Sequence, residues 1–106
     1  MKTFCLSVDP GICGFTCKVK STCQDRKTAR IDITGSGCSM IQELAGLVSE
    51  ITFQEFFVPL TQNKIFLGAE KAGCHLACPV PVAVVKASEA ALTLALPKDV
   101  AMRFES

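Results

Sequence analysis

The chain contains no tryptophan and no tyrosine, and its aromatic residues are seven phenylalanines, most of them at core-like positions. With a formal net charge of only +1, it lacks both the stacking platforms and the clustered basic excess that nucleic-acid binding requires. Nucleic acid is therefore excluded as an expected partner. Long apolar runs are also missing. The longest, Pro79 to Val85, falls far short of the roughly 20 residues needed to cross a bilayer. The opening Met1-Lys-Thr-Phe-Cys-Leu begins like a secretory signal, but Asp9 and Pro10 interrupt it before an apolar core of useful length. A soluble protein with no membrane partner is expected. No Cys-x-x-Cys pair occurs, so a zinc ribbon or a thioredoxin-like dithiol has no support. The single histidine, His75, rules out a Cys2His2 finger. Internal repeats and low-complexity tracts are absent.

What the chain does have is cysteine, seven in 106 residues. Without an export signal, that usage points to a reducing, cytoplasmic compartment, where thiols serve metal or redox chemistry rather than disulfides. Its length suits a single domain spanning residues 1–106. With 49% hydrophobic and 20% charged residues, disorder is excluded and one core can form without covalent staples.

Periodicity predicts an α+β fold. Phe4, Leu6 and Val8 alternate with Thr3, Cys5 and Ser7, as in a half-buried strand. The same pattern recurs at Phe15, Cys17 and Val19, and again at Ala29, Ile31 and Ile33. An antiparallel three-stranded meander follows most simply, with Asp9-Pro-Gly11 and Gln24-Asp-Arg-Lys27 as its turns. From Met40 to Ile51 the apolar residues recur at three- and four-residue spacing, giving an amphipathic helix with Ser39 and Gln42 as a capping box. Thr52 and Glu55 predict a second box opening a short helix, and Asn63 a cap for a piece over residues 64–72. Pro79 to about Leu96 reads as the central helix against the sheet. Asp99 to Phe104 alternates again and predicts a C-terminal strand. The expected architecture is thus a small antiparallel sheet, the meander plus that last strand, packed against three to four helices. Phe4, Val8, Phe15, Val19, Ile31, Ile33, Leu44, Leu47, Val84 and Ala91 should share its core.

The cysteines divide by context. Cys17 falls on the apolar phase of its strand, where a free cysteine behaves as a small hydrophobe. Cys5 and Cys23 lie away from any cluster. Cys13, Cys38, Cys74 and Cys78 all sit in connections beside glycine or a helix start, positions that packing does not explain. Soft deprotonated ligands converging from loops at one end of a sheet are what a zinc or iron–sulfur site needs. Because the second strand begins after Cys13 and the third ends before Cys38, antiparallel pairing should bring these two thiols to one end of the sheet. Cys74 and Cys78 join them if the late helix starts there, with sulfurs close enough to share a metal, within roughly 7 Å of one another. His75, between the last two, reads either as a further metal ligand or as an exposed or carbonyl-bonded loop residue.

The order of these pieces resembles the U-type iron–sulfur scaffold proteins, IscU and the amino-terminal domain of NifU. The likeness rests on Cys13-Gly14, on Ile33-Thr-Gly-Ser-Gly-Cys38 opening a helix, and on Cys74-His-Leu-Ala-Cys78 before a helix containing Lys86-Ala-Ser-Glu-Ala-Ala91. It covers roughly residues 3 to 96. The resemblance implies an iron–sulfur cluster held by Cys13, Cys38 and Cys78 with Cys74 as fourth ligand, and a cluster donor or acceptor protein as partner. The departures concern delivery more than binding. Phe15 stands where the family has an acidic residue, the Leu-Pro-Pro-Val-Lys chaperone segment is absent, and the last site carries two cysteines with the histidine between them.

The leading expectation is a metal or iron–sulfur binding protein, scaffold- or carrier-like, rather than an enzyme. Two alternatives stay open. One is a thiol-based redox enzyme in which Cys38 or Cys78 is activated by a helix N-terminus. The other is a structural or partner-binding domain with incidental thiols. A third idea, an anion site where Gly35-Ser-Gly-Cys-Ser39 meets its helix, lacks the lysine of a P-loop.

Overall fold

The computed structural model describes residues 2–106. Strands β1 (Thr3–Val8), β2 (Cys17–Cys23) and β3 (Thr28–Thr34) form the expected meander, and a short β4 (Glu50–Thr52) completes an antiparallel sheet in the order β1-β2-β3-β4. In register, Leu6 faces Val19, Val19 faces Ile33, and Ala29 faces Ile51. Opposed residues share a face, so apolar rows from all four strands point to one side of the sheet. That side is covered by α3 (Val80–Ala91) over β1 and β2 and by α1 (Ser39–Leu47) over β3, with α2 (Lys64–Ala72) behind α1. The α+β class and the antiparallel meander are as the periodicity predicts.

The core is small-residue rich where helix meets sheet. Val80, Ala83, Val84, Ala87 and Ala91 of α3 lie against Val8, Cys17, Val19 and Ile31, all buried. One polar contact crosses this layer. The hydroxyls of Ser21 in β2 and Ser88 in α3, both wholly buried, are 3.1 Å apart and hydrogen-bonded.

Several local signals act as read. The Thr52 and Glu55 capping box forms, with the Glu55 carboxylate accepting from the Thr52 N–H at 2.7 Å, and it opens a 3-10 helix over Phe53–Phe57. A second 3-10 turn covers Leu60–Gln62. Asn63 caps α2 by accepting from the Ile65 N–H at 2.9 Å, and its amide donates to the Glu55 carbonyl. Gly73 closes α2 in the left-handed region at φ 77°, which a residue with a Cβ enters only with strain.

Other expectations need correction. Residues 39 and 42 do not form a capping box. The N-cap of α1 is Cys38 without a side-chain cap, and the Gln42 amide reaches past it to the Ser36 carbonyl. The helix stops at Leu47, Val48 turns to an extended conformation, and Ile51 is buried from β4 instead. Spacing alone could not separate the two, because Ile51 continues the helical stripe while pairing with Ala29. Leu47, at the helix end, and Phe15, two residues before β2 begins, are therefore partly exposed instead of core. The last helix ends at Ala91. Thr93 takes φ 64°, and the N–H groups of Leu94 and Ala95 turn back to the Glu89 carbonyl. The C-terminal strand does not form, since residues 95–106 have no regular structure and are exposed. The sheet's fourth strand is β4.

Candidate functional site

The meander places the end of β1, the start of β2 and the end of β3 together, and α3 starts at this same end. Three connections therefore converge there. The first, residues 9–16, is tightened by the Asp9 carboxylate accepting from the Gly11 N–H and by the Gly14 N–H donating to the Gly11 carbonyl. It presents Cys13 to solvent. The second leads from β3 into α1. The Ser36 hydroxyl accepts from the Cys38 N–H at 3.0 Å, holding a half-buried Cys38 at the helix start. Gly37 lets this loop lie against Phe15, whose ring a Cβ there would meet at 3.1 Å. The third joins α2 to α3. The Cys74 N–H donates to the Ala69 carbonyl, extending the helix C-cap, and the Cys78 N–H donates to the His75 carbonyl in a turn. Cys74 and Cys78 are half-buried, while His75 is exposed on the rim.

These connections enclose one groove of about 180 Å³ that takes in Cys13, Cys38, Cys74, His75 and Cys78. All five sequence-predicted residues thus line the same hollow, at the end of the sheet where pairing places Cys13 and Cys38 and where the start of α3 adds Cys74, His75 and Cys78. Its remaining walls are mainly apolar, with Ile12, Phe15, Met40 and Ile41 among them. All seven cysteines are free thiols. Among the described residues, however, no three Cys, His, Asp or Glu side chains form a group able to hold a metal. The thiols share a groove without the closed ligand cage that the expected sulfur proximity implies. The exposed position of Cys13 accounts for part of that openness.

Electrostatics tie in a further cysteine. Burial pushes the Cys17 thiol above the ordinary range, and the neighbouring charges of Cys78 and then Cys38 push it further. Cys17 is the first residue of β2 and points into the core, so it lies under the groove. Its alternating phase assigns it to the core correctly, but that phase could not reveal its proximity to Cys38 and Cys78, which depends on how α1 and α3 seat on the sheet. Cys74 is raised in the same way, first by burial, then by Cys78, Cys38 and, more weakly, Glu43. The thiols repel one another's ionised forms, a pattern that a soft cation reverses by favouring thiolate. Thiolate and imidazole are ligand types that zinc and iron–sulfur clusters take, but among the described residues the side chains as placed here do not converge into a set of three. Cys5 and Cys23 lie outside the groove, on β1 and at the end of β2.

The fold and groove define a small α+β protein whose thiols gather where three loops meet at one end of an antiparallel sheet. The chain belongs to a family of unknown function (DUF6951), which matches it over residues 4–104. No curated protein and no solved structure matches it. Among the described residues no helix is long and apolar enough to cross a membrane.

Proposed function

We propose that this protein binds a soft metal ion or a small iron–sulfur cluster in the groove, with Cys13, Cys38, Cys74 and Cys78 as ligands and His75 as an adjoining donor. The observation that carries the reading is the gathering of four thiols from three separate connections into one hollow. Cys38, Cys74 and Cys78 pack in part against the core, but packing gives no reason for the exposed Cys13 beside them, whereas a thiophilic ion accounts for all four. A bound cluster would supply iron and sulfide for transfer, or a site for one electron, to a partner protein that donates or accepts it. The chain's own part is to present the thiols from adjustable loops on a rigid sheet and to keep them half-covered by Phe15, Met40 and Ile41. The resemblance to U-type scaffolds and the reducing cytoplasm inferred from thiol usage agree with this role. Raised Cys74 and Cys17 thiols argue against either as a nucleophile at neutral pH.

The test is anaerobic expression and purification followed by visible absorption and metal and sulfide analysis. A brown protein with iron and sulfide, or a colourless one with stoichiometric zinc, is expected, and the combined variant C38S/C78S should lose it while remaining folded. A folded, metal-free wild type that also fails to take up zinc or a reconstituted cluster would refute the reading. Rapid reaction of a single thiol with a disulfide substrate would move the assignment to thiol redox chemistry.

A further inference from the structure

The sheet leaves one long edge open. β1 is the outer strand with six residues, whereas the opposite edge, β4, has only three and runs directly into a 3-10 helix. An open edge of that length is a template for a further strand. On its inner face Phe4 and Leu6 are only partly buried, unlike Val8 and Val19. The row at the edge of the core lacks a neighbour on its outer side.

The chain also carries a segment of matching length and chemistry. From Asp99 to Phe104 the apolar residues Val100, Met102 and Phe104 alternate with Asp99, Ala101 and Arg103, the period of a strand with one buried face. Yet their exposures are 67%, 85% and 108%. Residues 99–106 make no backbone hydrogen bond among the described residues. A strand-patterned segment with every apolar residue in water is unsatisfied as it stands.

Direction decides which β1 it fits. Helix α3 runs away from the cysteine end, and Leu92 and Thr93 after it share a hollow with Lys2, next to the start of β1. A tail returning along its own β1 would therefore run parallel to it. Every existing pair in the sheet is antiparallel, and parallel pairing is slightly weaker per residue. Residues 95–106 are instead exposed and without regular structure. A tail from another molecule has no such constraint and can approach antiparallel.

We propose that residues 99–104 of one chain add antiparallel to the β1 edge of a second copy, and that reciprocal exchange of tails gives a two-fold dimer. The register that sets Met102 opposite Leu6 also sets Val100 opposite Val8 and Phe104 opposite Phe4. All three apolar tail residues then fall on the inner face and complete the row under α3. Arg103 falls opposite Cys5 on the outer face. The device is strand addition, in which the backbone gives affinity and alternate side chains give register. It does not involve the thiol groove, so it stands whether or not that groove holds a metal.

Sedimentation equilibrium of the full chain, in reductant and chelator to exclude disulfide and metal bridges, is expected to show a concentration-dependent dimer. The variant V100D/M102D/F104D should remain monomeric at the same concentrations with an unchanged circular dichroism spectrum. In Arg103→Cys protein, mild oxidation should link position 103 of one chain to Cys5 of another, read by peptide mapping. A wild type that stays monomeric throughout overturns the proposal. So does a dimer that survives in the triple variant, a dimer without the 103-to-5 link, or hydrogen-exchange protection of residues 99–104 in a monomer, which would mean pairing within one chain.

Discussion

The contact between Ser21 and Ser88 offers the sharpest test of how α3, and with it Cys78, is seated. Both hydroxyls are wholly buried and 3.1 Å apart. Removing one leaves the other without this partner inside the core, which costs about 1–3 kcal/mol. Ser21→Ala should be the more damaging change, because alanine suits a strand poorly. In Ser88→Ala, the better helix propensity of alanine returns up to about 0.5 kcal/mol. Taking about 2 kcal/mol for the first and about 1.5 for the second, simple addition predicts about 3.5 for the pair. Replacing both leaves two methyl groups facing each other and no stranded hydroxyl, so S21A/S88A should cost only about 1 kcal/mol. The interaction energy is then about 2.5 kcal/mol, well outside the error of a double-mutant cycle. For a domain of this size each kcal/mol shifts Tm by about 4–8 °C, so the double variant should melt above Ser21→Ala. Urea unfolding with excess reductant, at constant m-value, measures all four proteins. A double variant whose cost equals the sum of the singles within about 0.5 kcal/mol would refute the reasoning.

Asn63→Ala should lower stability by about 2 kcal/mol, since it removes both the N-cap bond to Ile65 and the buried bond to the Glu55 carbonyl; Asn63→Asp, which keeps the cap but not the amide donor, should recover part of it in the same urea assay. The raised thiols give a pH signature. In Cys17 and Cys74 the folded state holds the proton to higher pH than the unfolded chain does. The unfolded state therefore binds fewer protons above the usual thiol value of roughly 8.5, and stability falls as pH rises through that point while staying level below it. The urea midpoint of the metal-free protein should drop between neutral and alkaline buffer, and Cys17→Val should reduce the drop; an unchanged or rising midpoint would contradict the burial argument.

The period-two segments at residues 3–8, 15–20 and 29–34 determined the meander, and with it the placement of Cys13 and Cys38 at one end, because strand direction alternates whatever packs on the sheet. Local chemistry likewise determined the Thr52 box, the Asn63 cap and the Gly73 stop, each a bond between residues at most four apart in sequence. Tertiary structure alone decided the rest. Ile51 fits a helical stripe and a strand equally, and pairing with Ala29 settled it as β4. Asp99 to Phe104 has the pattern of a strand, but a strand needs a partner edge, and among the described residues this segment has no backbone hydrogen bond to one. The approach of Cys17 to Cys38 and Cys78 depends on how two helices seat on the sheet, a matter of side-chain packing between segments remote in sequence. Spacing along the chain holds no information about it.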